Sequence, residues 1–285
     1  MTRVLLATFG LLPDGEAGGD LLVAALGERG VDAQWAVWDD PEVDWAAADL
    51  VVVRSTWDYQ RRYAEFLGWV CAVEAGTRLL PGSRVVGWNA DKAYLLELAE
   101  DVPVVPTALL EDRGLVAGLA AALDRWGTVV VKPRTGAGGV GVVVAESTDD
   151  PRLEGLVAGP WVVQPLVESV RTVGESSMWV LGGEVVVQVD KRPSGGEVRV
   201  HELYGGSSVA VAVDPARAEV ARAAVAAAAR RLGAPPAYAR VDLVLLDDGW
   251  AVGELELIEP GLYLDLAPDL AGPFADLVVS VLRGS

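Results

Sequence analysis

Lys132 and the glycines after it are the first residues in this chain whose types and spacing could do chemistry. Val129-Val-Val-Lys132-Pro133 closes a β-branched run, and Gly136-Ala-Gly138-Gly139-Val-Gly141 follows before valines resume at Val142. Glycines let backbone N–H groups turn toward an anion with no Cβ in the way, and a nearby lysine supplies a point charge. Valine runs on both sides read as two strands joined by a glycine-rich turn, a flexible lid over nucleotide phosphates.

Other glycine loops fit less well. Gly136, Gly138 and Gly141 match G-x-G-x-x-G, but a dinucleotide fingerprint must open a helix, and here valines follow. Walker A requires Lys-Ser/Thr after its last glycine, whereas Gly141 precedes Val142. A kinase loop would need His-Arg-Asp and Asp-Phe-Gly elsewhere, and the one histidine, His201, sits in His-Glu-Leu. A plain hairpin turn would not need so many glycines behind a lysine.

Carboxylates form the second constellation. Ala239-Arg-Val-Asp242-Leu-Val-Leu reads as a strand, Asp247-Asp-Gly249 as a tight turn, and Ala251-Val-Gly-Glu254-Leu-Glu256-Leu as the return. Alternation puts Glu254 and Glu256 on one face, with Asp242 able to lie across from them. Val252, Leu255 and Leu257 are expected on the buried face, which argues against a merely solvated acidic edge. Three carboxylates in an apolar hairpin repel one another unless a cation neutralises them, and hard oxygen ligands suit Mg2+ bridging ATP phosphates.

A third group, Arg54-Ser55-Thr56-Trp57-Asp58-Tyr59, stands after a buried run, Leu50-Val-Val-Val. Open α/β sheets place ligands at such strand ends. Arg54 could pair with a substrate carboxylate while Trp57 and Tyr59 wall a small pocket; a loop anchored by an aromatic and a capping aspartate is the alternative.

These groups need elements to carry them. Strands over Arg3–Ala7, Val31–Trp38 and Leu50–Arg54, with a helix over Gly19–Arg29, alternate as in a parallel, Rossmann-like lobe. Tyr63–Gly76, Tyr94–Leu98, Leu115–Trp126 and the alanine-rich Pro215–Leu232 read as helices. The arginines of the last (217, 222, 230, 231) are expected on its solvated face. Trp161–Glu168 reads as a strand broken at Pro165, a hinge whose backbone could meet an adenine edge. Met178–Leu181, Glu184–Asp190 and Val198–Glu202 are expected as antiparallel strands.

The 285 residues suit two or three lobes, and 52% apolar residues suffice for real cores. A net charge of −18 disfavours nucleic acid and anionic membranes as partners. One cysteine, Cys71, excludes a disulfide framework and fits a reducing compartment. The opening stretch reads as a buried strand rather than a signal peptide, and no apolar run spans a membrane, so a cytoplasmic location is expected.

Together these motifs make the chain similar to the ATP-grasp ligases of the glutathione synthetase and D-alanine–D-alanine ligase kind. The resemblance runs in order along the whole chain. It implies an α/β fold of α+β lobes: a Rossmann-like substrate domain over 1–88, a central lobe with the glycine loop over 89–165, and a C-terminal lobe with the metal hairpin over 166–285. Asp91-Lys92 resembles the first ATP-contacting lysine, and Lys132 with Gly136, Gly138, Gly139 and Gly141 the second. Gln164-Pro-Leu166 resembles the adenine hinge. Glu175 after Gly174, with Glu168 second, resembles the ribose contact. Asp190-Lys191, Glu197-Val-Arg199 and Gly205-Gly206 resemble the strands facing phosphate and substrate, which implies Lys191 for ATP, Arg199 for both catalysis and substrate, and Gly206 for substrate. Asp242, Glu254 and Glu256 match the metal hairpin, with Arg240 beside it.

Two departures stand out. The family usually has Glu-x-Asn where this chain has Glu254-Leu-Glu256, and an arginine near Ser177 is missing. Arg-Ser-Thr-Trp-Asp-Tyr with Glu-Leu-Glu-Leu-Ile-Glu-Pro is similar to the branch containing the O-ureido-serine cyclo-ligase of cycloserine biosynthesis. The resemblance implies amide formation from a small amino acid or peptide-like substrate through an acyl phosphate, intramolecular in a cyclo-ligase. It implies ATP and Mg2+, with Mn2+ able to substitute. Lys92 and Lys132 would hold phosphates, and Arg240 and Lys132 would serve the chemical step. A homodimer is a candidate assembly. The rival class is a non-catalytic ATP-binding regulatory module, which would have lost a phosphate lysine or a metal carboxylate.

Overall fold

Runs of valine and leucine with no polar alternation form strands that must be covered on both faces. Leu50, Val51, Val52 and Val53 are fully buried, as are Val4 and Leu6, and burying each such side chain contributes about 1.5–3 kcal/mol. The computed structural model describes residues 2–155, 160–195 and 197–284.

Strands β1 (Thr2–Thr8), β2 (Val31–Val37), β3 (Leu50–Ser55) and β4 (Leu79–Leu80) form a parallel sheet in the order β2-β1-β3-β4. Helix α1 (Gly19–Glu28) covers one face, where Leu22 and Leu26 meet Val4, Leu6 and Val52. Helix α2 (Tyr63–Gly76) covers the other, with Phe66, Val70 and Val73 against Leu5, Ala7, Val51 and Val53. Helices α3 (Ser83–Asn89) and α4 (Tyr94–Leu98) lead to the next sheet.

That sheet comprises β5 (Ala108–Leu110), β6 (Val129–Pro133), β7 (Val143–Ala145) and β8 (Trp161–Pro165), antiparallel in the order β5-β8-β6-β7, with α5 (Leu115–Trp126) packed on it. The glycine loop joins β6 to β7, the strand–turn–strand its valines require. β8 ends at Pro165, where the break was expected.

The third sheet holds β9 (Glu175–Leu181), β10 (Glu184–Arg192), β11 (Ser207–Val211), β12 (Tyr238–Leu246) and β13 (Gly249–Glu256), in the order β11-β10-β9-β12-β13. Short α6 (Ser169–Thr172) precedes it, α7 (Pro215–Leu232) covers one face and α8 (Ala271–Arg283) follows it. Small side chains let α7 lie close: Ala221, Ala224, Ala227 and Ala228 are fully buried against Met178, Val180, Val241 and Leu243. On the opposite face the sheet changes character along its length. Trp179, Leu181 and Tyr238 join α8 and α1 in the first sheet's core, and farther along that face carries Ser177, Lys191, Arg240, Asp242, Glu254 and Glu256 beside the buried Val189.

Two expectations need correction. Val198–Glu202 is no strand; the chain turns there through a 3-10 helix at Glu202–Tyr204, and the edge strand is β11. A Cβ on Gly206 would lie 2.0 Å from the Val200 carbonyl oxygen, so the chain doubles back where a strand would run straight. Arg217 is not on a solvated face. It donates to Ser176 at 2.8 Å, pairs with Asp190 at 3.1 Å and lies 4.1 Å over the Trp250 ring. Asp190 therefore faces α7, one residue out of phase with Lys191.

Tyr238 ties the sheets together. Its buried hydroxyl lies 3.0 Å from the Val53 carbonyl oxygen on β3 and 2.8 Å from that of Ile258 after β13. Tyr238→Phe would strand those carbonyls in an apolar core at a cost of about 1–3 kcal/mol. Equilibrium urea denaturation should show a lowered midpoint at unchanged slope; an unchanged midpoint would mean that the bridge adds nothing.

Candidate active site

The site is built on the polar part of the third sheet. The β12–β13 register sets Asp242 opposite Glu254 and Arg240 opposite Glu256. Strict alternation could not put Val252 on the same face as Leu255 and Leu257. The register slips between Asp242 and Leu243, skipping Gly253, and this bulge brings all three into one buried cluster. Glu254 and Glu256 consequently face away from α7.

β13 is an edge strand, and side chains from the connecting helices cap it. Asn89 donates to the Leu255 carbonyl at 2.8 Å and accepts from the Leu257 N–H at 2.7 Å, imitating a neighbouring strand. The Tyr94 hydroxyl accepts from the Leu255 N–H at 2.9 Å. Neither role was visible in the sequence, because a lone Asn before a helix reads as a cap.

Lysines close on these acids from the α3–α4 turn and from β10. Lys92 Nζ lies 3.0 Å from Glu254 and donates to the Gly136 carbonyl at 2.8 Å, so one ammonium touches both the hairpin and the glycine loop. Asp91 fixes the loop's base through two bonds from Arg134, at 2.9 and 2.6 Å. Lys191 is 3.2 Å from Glu175 and 3.8 Å from Asp242. Arg240 forks onto Asp242 at 2.9 and 2.8 Å and also reaches Glu256, while Ser177 donates to Asp242 at 2.5 Å.

Lys92, Lys132, Lys191 and Arg240 thus balance Glu175, Asp242, Glu254 and Glu256. Burial resists ionisation of Asp242, but Arg240 and Lys191 overcome it and hold the carboxyl well below its usual range. Burial likewise opposes charge on Glu254, and Lys92 and Lys132 bring it down. Glu256 goes the other way: burial pushes it up to about 7 because Arg240, shared with Asp242, only partly offsets the loss of water. Burial lowers Lys132.

Oxygen-only donors facing one another in register are the chemistry of a hard divalent cation. Among the described residues, no three carboxylates converge into a ready cage, so Asp242, Glu254 and Glu256 would need outside oxygens, such as phosphates, to complete a shell.

The other predicted residues disperse. Arg199 pairs with Glu197 at 2.6 Å and stacks 3.6 Å over Tyr204, whose hydroxyl reaches the Gly138 carbonyl at 3.4 Å; Gly139 approaches both side chains. This segment therefore meets the glycine loop, with Gly206 at its turn. Gln164 is buried, donating to Thr107 at 2.9 Å. The Leu166 N–H is spent on the Thr128 carbonyl at 3.0 Å, which removes it as a donor to a base. Glu168 is exposed and pairs with Arg171 at 3.0 Å.

The six residues Arg54–Tyr59, at and beyond the end of β3, divide. Arg54 is fully buried, donating to Glu16 at 2.9 Å and the Pro260 carbonyl at 2.6 Å. Its Nη2 thus pins the first lobe to the chain beyond β13, while Nε and Nη1 are buried without a partner. Ser55 bonds Thr8 at 2.8 Å, Tyr59 packs 4.9 Å from Phe66, and Asp58 accepts from Trp38 at 2.9 Å. All three thus have partners inside the first lobe. Thr56 is buried with its hydroxyl unpartnered. Trp57, like Arg54, meets the segment after β13, donating to the Glu259 carbonyl at 2.9 Å.

In the sequence Glu259 figured only as part of the Glu-Leu-Glu-Leu-Ile-Glu-Pro motif, with no role of its own. Burial, then the charge of Glu256, pushes its carboxyl up to about 8. An acid that holds its proton more tightly when folded contributes stability below its ordinary value of 4.5, and that contribution is lost as pH rises through about 8. The ligand-free chain should lose stability on titration from about pH 5 to about pH 9, and Glu259→Gln should flatten the upper part of that decline. An unchanged slope in the variant would show that Glu259 stays ionised.

Known proteins place the geometry. Residues 4–81 match the family model described as D-cycloserine synthetase DcsG, N-terminal domain. The cycloserine biosynthesis protein DcsG of Streptomyces lavendulae is 34% identical over 280 residues, 92% of this chain and 93% of that protein. The crystal structure of D-cycloserine synthetase DcsG superposes with a TM-score of 0.87 at 32% identity, covering 98% of this chain and 99% of that one. ATP-grasp ligase PsnB, solved with a minimal precursor, Mg and ADP, shares the fold at a TM-score of 0.66 and 18% identity, with 98% of each chain covered.

Proposed function

The chain belongs to the DcsG family of ATP-grasp ligases, and from that premise we propose that it is an ATP- and Mg2+-dependent carboxylate–amine ligase acting on a small amino acid, its relative being a cycloserine biosynthesis protein. The observation that carries the reading is the charge-balanced cluster between two sheets, in which Lys92 touches both the glycine loop and Glu254. A site already neutral needs added positive charge to accept a triphosphate. Asp242, Glu254 and Glu256 are the oxygen donors that would hold a divalent cation, which when bound neutralises phosphate charge.

The chain's own residues divide the remaining work. Lys92 and Lys132 hold phosphate oxygens, and Lys132, on a strand rather than a loop, is fixed in place. The glycine loop closes over the phosphates, where Arg199 and Tyr204 meet it, and excludes water that would hydrolyse an acyl phosphate. Arg240 and Lys191 lie where charge develops as the substrate carboxylate takes the phosphoryl group and nitrogen then displaces it. Nitrogen from the same molecule gives a ring; nitrogen from a second gives a linear amide.

ADP release, measured with Mg2+ and a panel of amino acids that includes O-ureido-serine and simple acceptors, tests this directly, with mass spectrometry of the product. No ADP release with any acid would overturn the assignment. Lys132→Ala should abolish turnover without unfolding the chain. Glu256→Ala should raise the Mg2+ needed for half-maximal rate by about tenfold or more, the scale of one lost charged contact, and Glu256→Asn, which keeps an oxygen, should lie between. An unchanged Mg2+ dependence in Glu256→Ala would leave the hairpin's metal to Asp242 and Glu254.

A further inference from the structure

One residue at this site carries backbone strain. Among the described residues, Tyr263 is the only non-glycine with a positive φ, 53°. Glycine adopts that left-handed conformation freely, whereas a Cβ crowds the carbonyl. A bulky ring kept at such a position needs a reason that the ring itself supplies.

The surroundings force the conformation. On one side the chain is pinned by Arg54 on the Pro260 carbonyl at 2.6 Å, Trp57 on the Glu259 carbonyl at 2.9 Å, and Glu16 accepting from the Leu262 N–H at 2.5 Å. On the other, the N–H groups of Leu266 and Ala267 donate to the Tyr263 carbonyl at 2.9 and 2.7 Å. Leu262 and Leu264 are both fully buried in the core shared by the first and third sheets. With its neighbours locked inward, the left-handed turn at Tyr263 swings its side chain the opposite way, onto the charged cluster. There the half-buried ring lies 5.4 Å from Lys191 Nζ and 5.8 Å from Arg240 Cζ, within reach of cation–π attraction to both.

We propose that Tyr263 is a specificity-determining residue of this site: the aromatic wall that limits the acid substrate to a small side chain and holds Lys191 and Arg240 toward its carboxylate. The inference rests on the ligase reading above. A polar wall would compete with the substrate for those two cations, and an aliphatic one would not attract them. A ring face does neither harm, because it steadies both charges without accepting a further N–H from either. Arg54 and Trp57 join the end of β3 to the loop that carries Tyr263.

The test compares Tyr263→Phe, Tyr263→Ala and Tyr263→Gly for ADP release with small and bulky amino acids, alongside ATP affinity and thermal melting. Phe keeps the ring and should keep KM for the acid within about twofold, whereas Ala and Gly should raise KM for a small acid about tenfold or more. The same two variants should admit bulkier acids, with ATP affinity little changed. Gly, which relieves the strained φ, should melt no lower than Ala, so a shared kinetic defect would come from the missing ring rather than a disturbed backbone. Unchanged KM and acid preference in Tyr263→Gly would overturn the proposal while leaving the ligase assignment standing. A wild-type chain that turns over no acid would instead overturn that assignment, and this one with it.

Discussion

Buried charge must be balanced where it sits, and the pairing of β12 with β13 decides where that is. Arg240 and Asp242 on one strand face Glu256 and Glu254 on the other, so each acid meets a cation only if the register is right. A slip of one residue would send the acids into the alanine face of α7 and the leucines into the polar cleft. The bulge at Gly253, the Asn89 clamp and the Tyr94 hydroxyl all fix that single alignment. Lys92, Lys132 and Lys191 then complete a balance that no strand could achieve alone.

The same face of the third sheet serves two purposes along its length. Toward Tyr238 and Trp179 it is apolar and merges with α8, α1 and the first sheet; toward Asp242 and Lys191 it is the candidate site. Rigid packing at one end therefore aims the charged groups at the other. The contacts of Arg54, Trp57 and Glu16 with the chain after β13 extend this, since residues far apart in sequence hold one loop.

The glycine loop is held at both ends but by different means. Lys92 and the Asp91–Arg134 pair anchor its base, while Tyr204 and Arg199 touch its tip. Its base contacts are charge-assisted and short; its tip rests on one long hydrogen bond and glycine packing. A loop so arranged can open at the tip while its base stays in register, which suits a cover over a nucleotide.

Much of this was written locally and so was legible in the sequence. Valine runs, a glycine-rich turn, alternating acids and an alanine-rich helix each carry a period or a backbone preference that neighbouring residues impose on one another. Those signals placed the glycine hairpin, the cross-strand acids and most helices, and the sum of their motifs pointed to the ATP-grasp ligases. Partners distant along the chain had no such signature. Arg54 read as an open-pocket cation because nothing nearby revealed Glu16 and Pro260, and Arg217 read as solvated because Asp190 and Trp250 lie on other elements. Val198–Glu202 had a strand's composition, but the close approach of Gly206 to Val200 turned it. Tyr263 and Glu259 gained their character only from the assembled core, because backbone strain and desolvation depend on what surrounds a residue rather than on which residue it is.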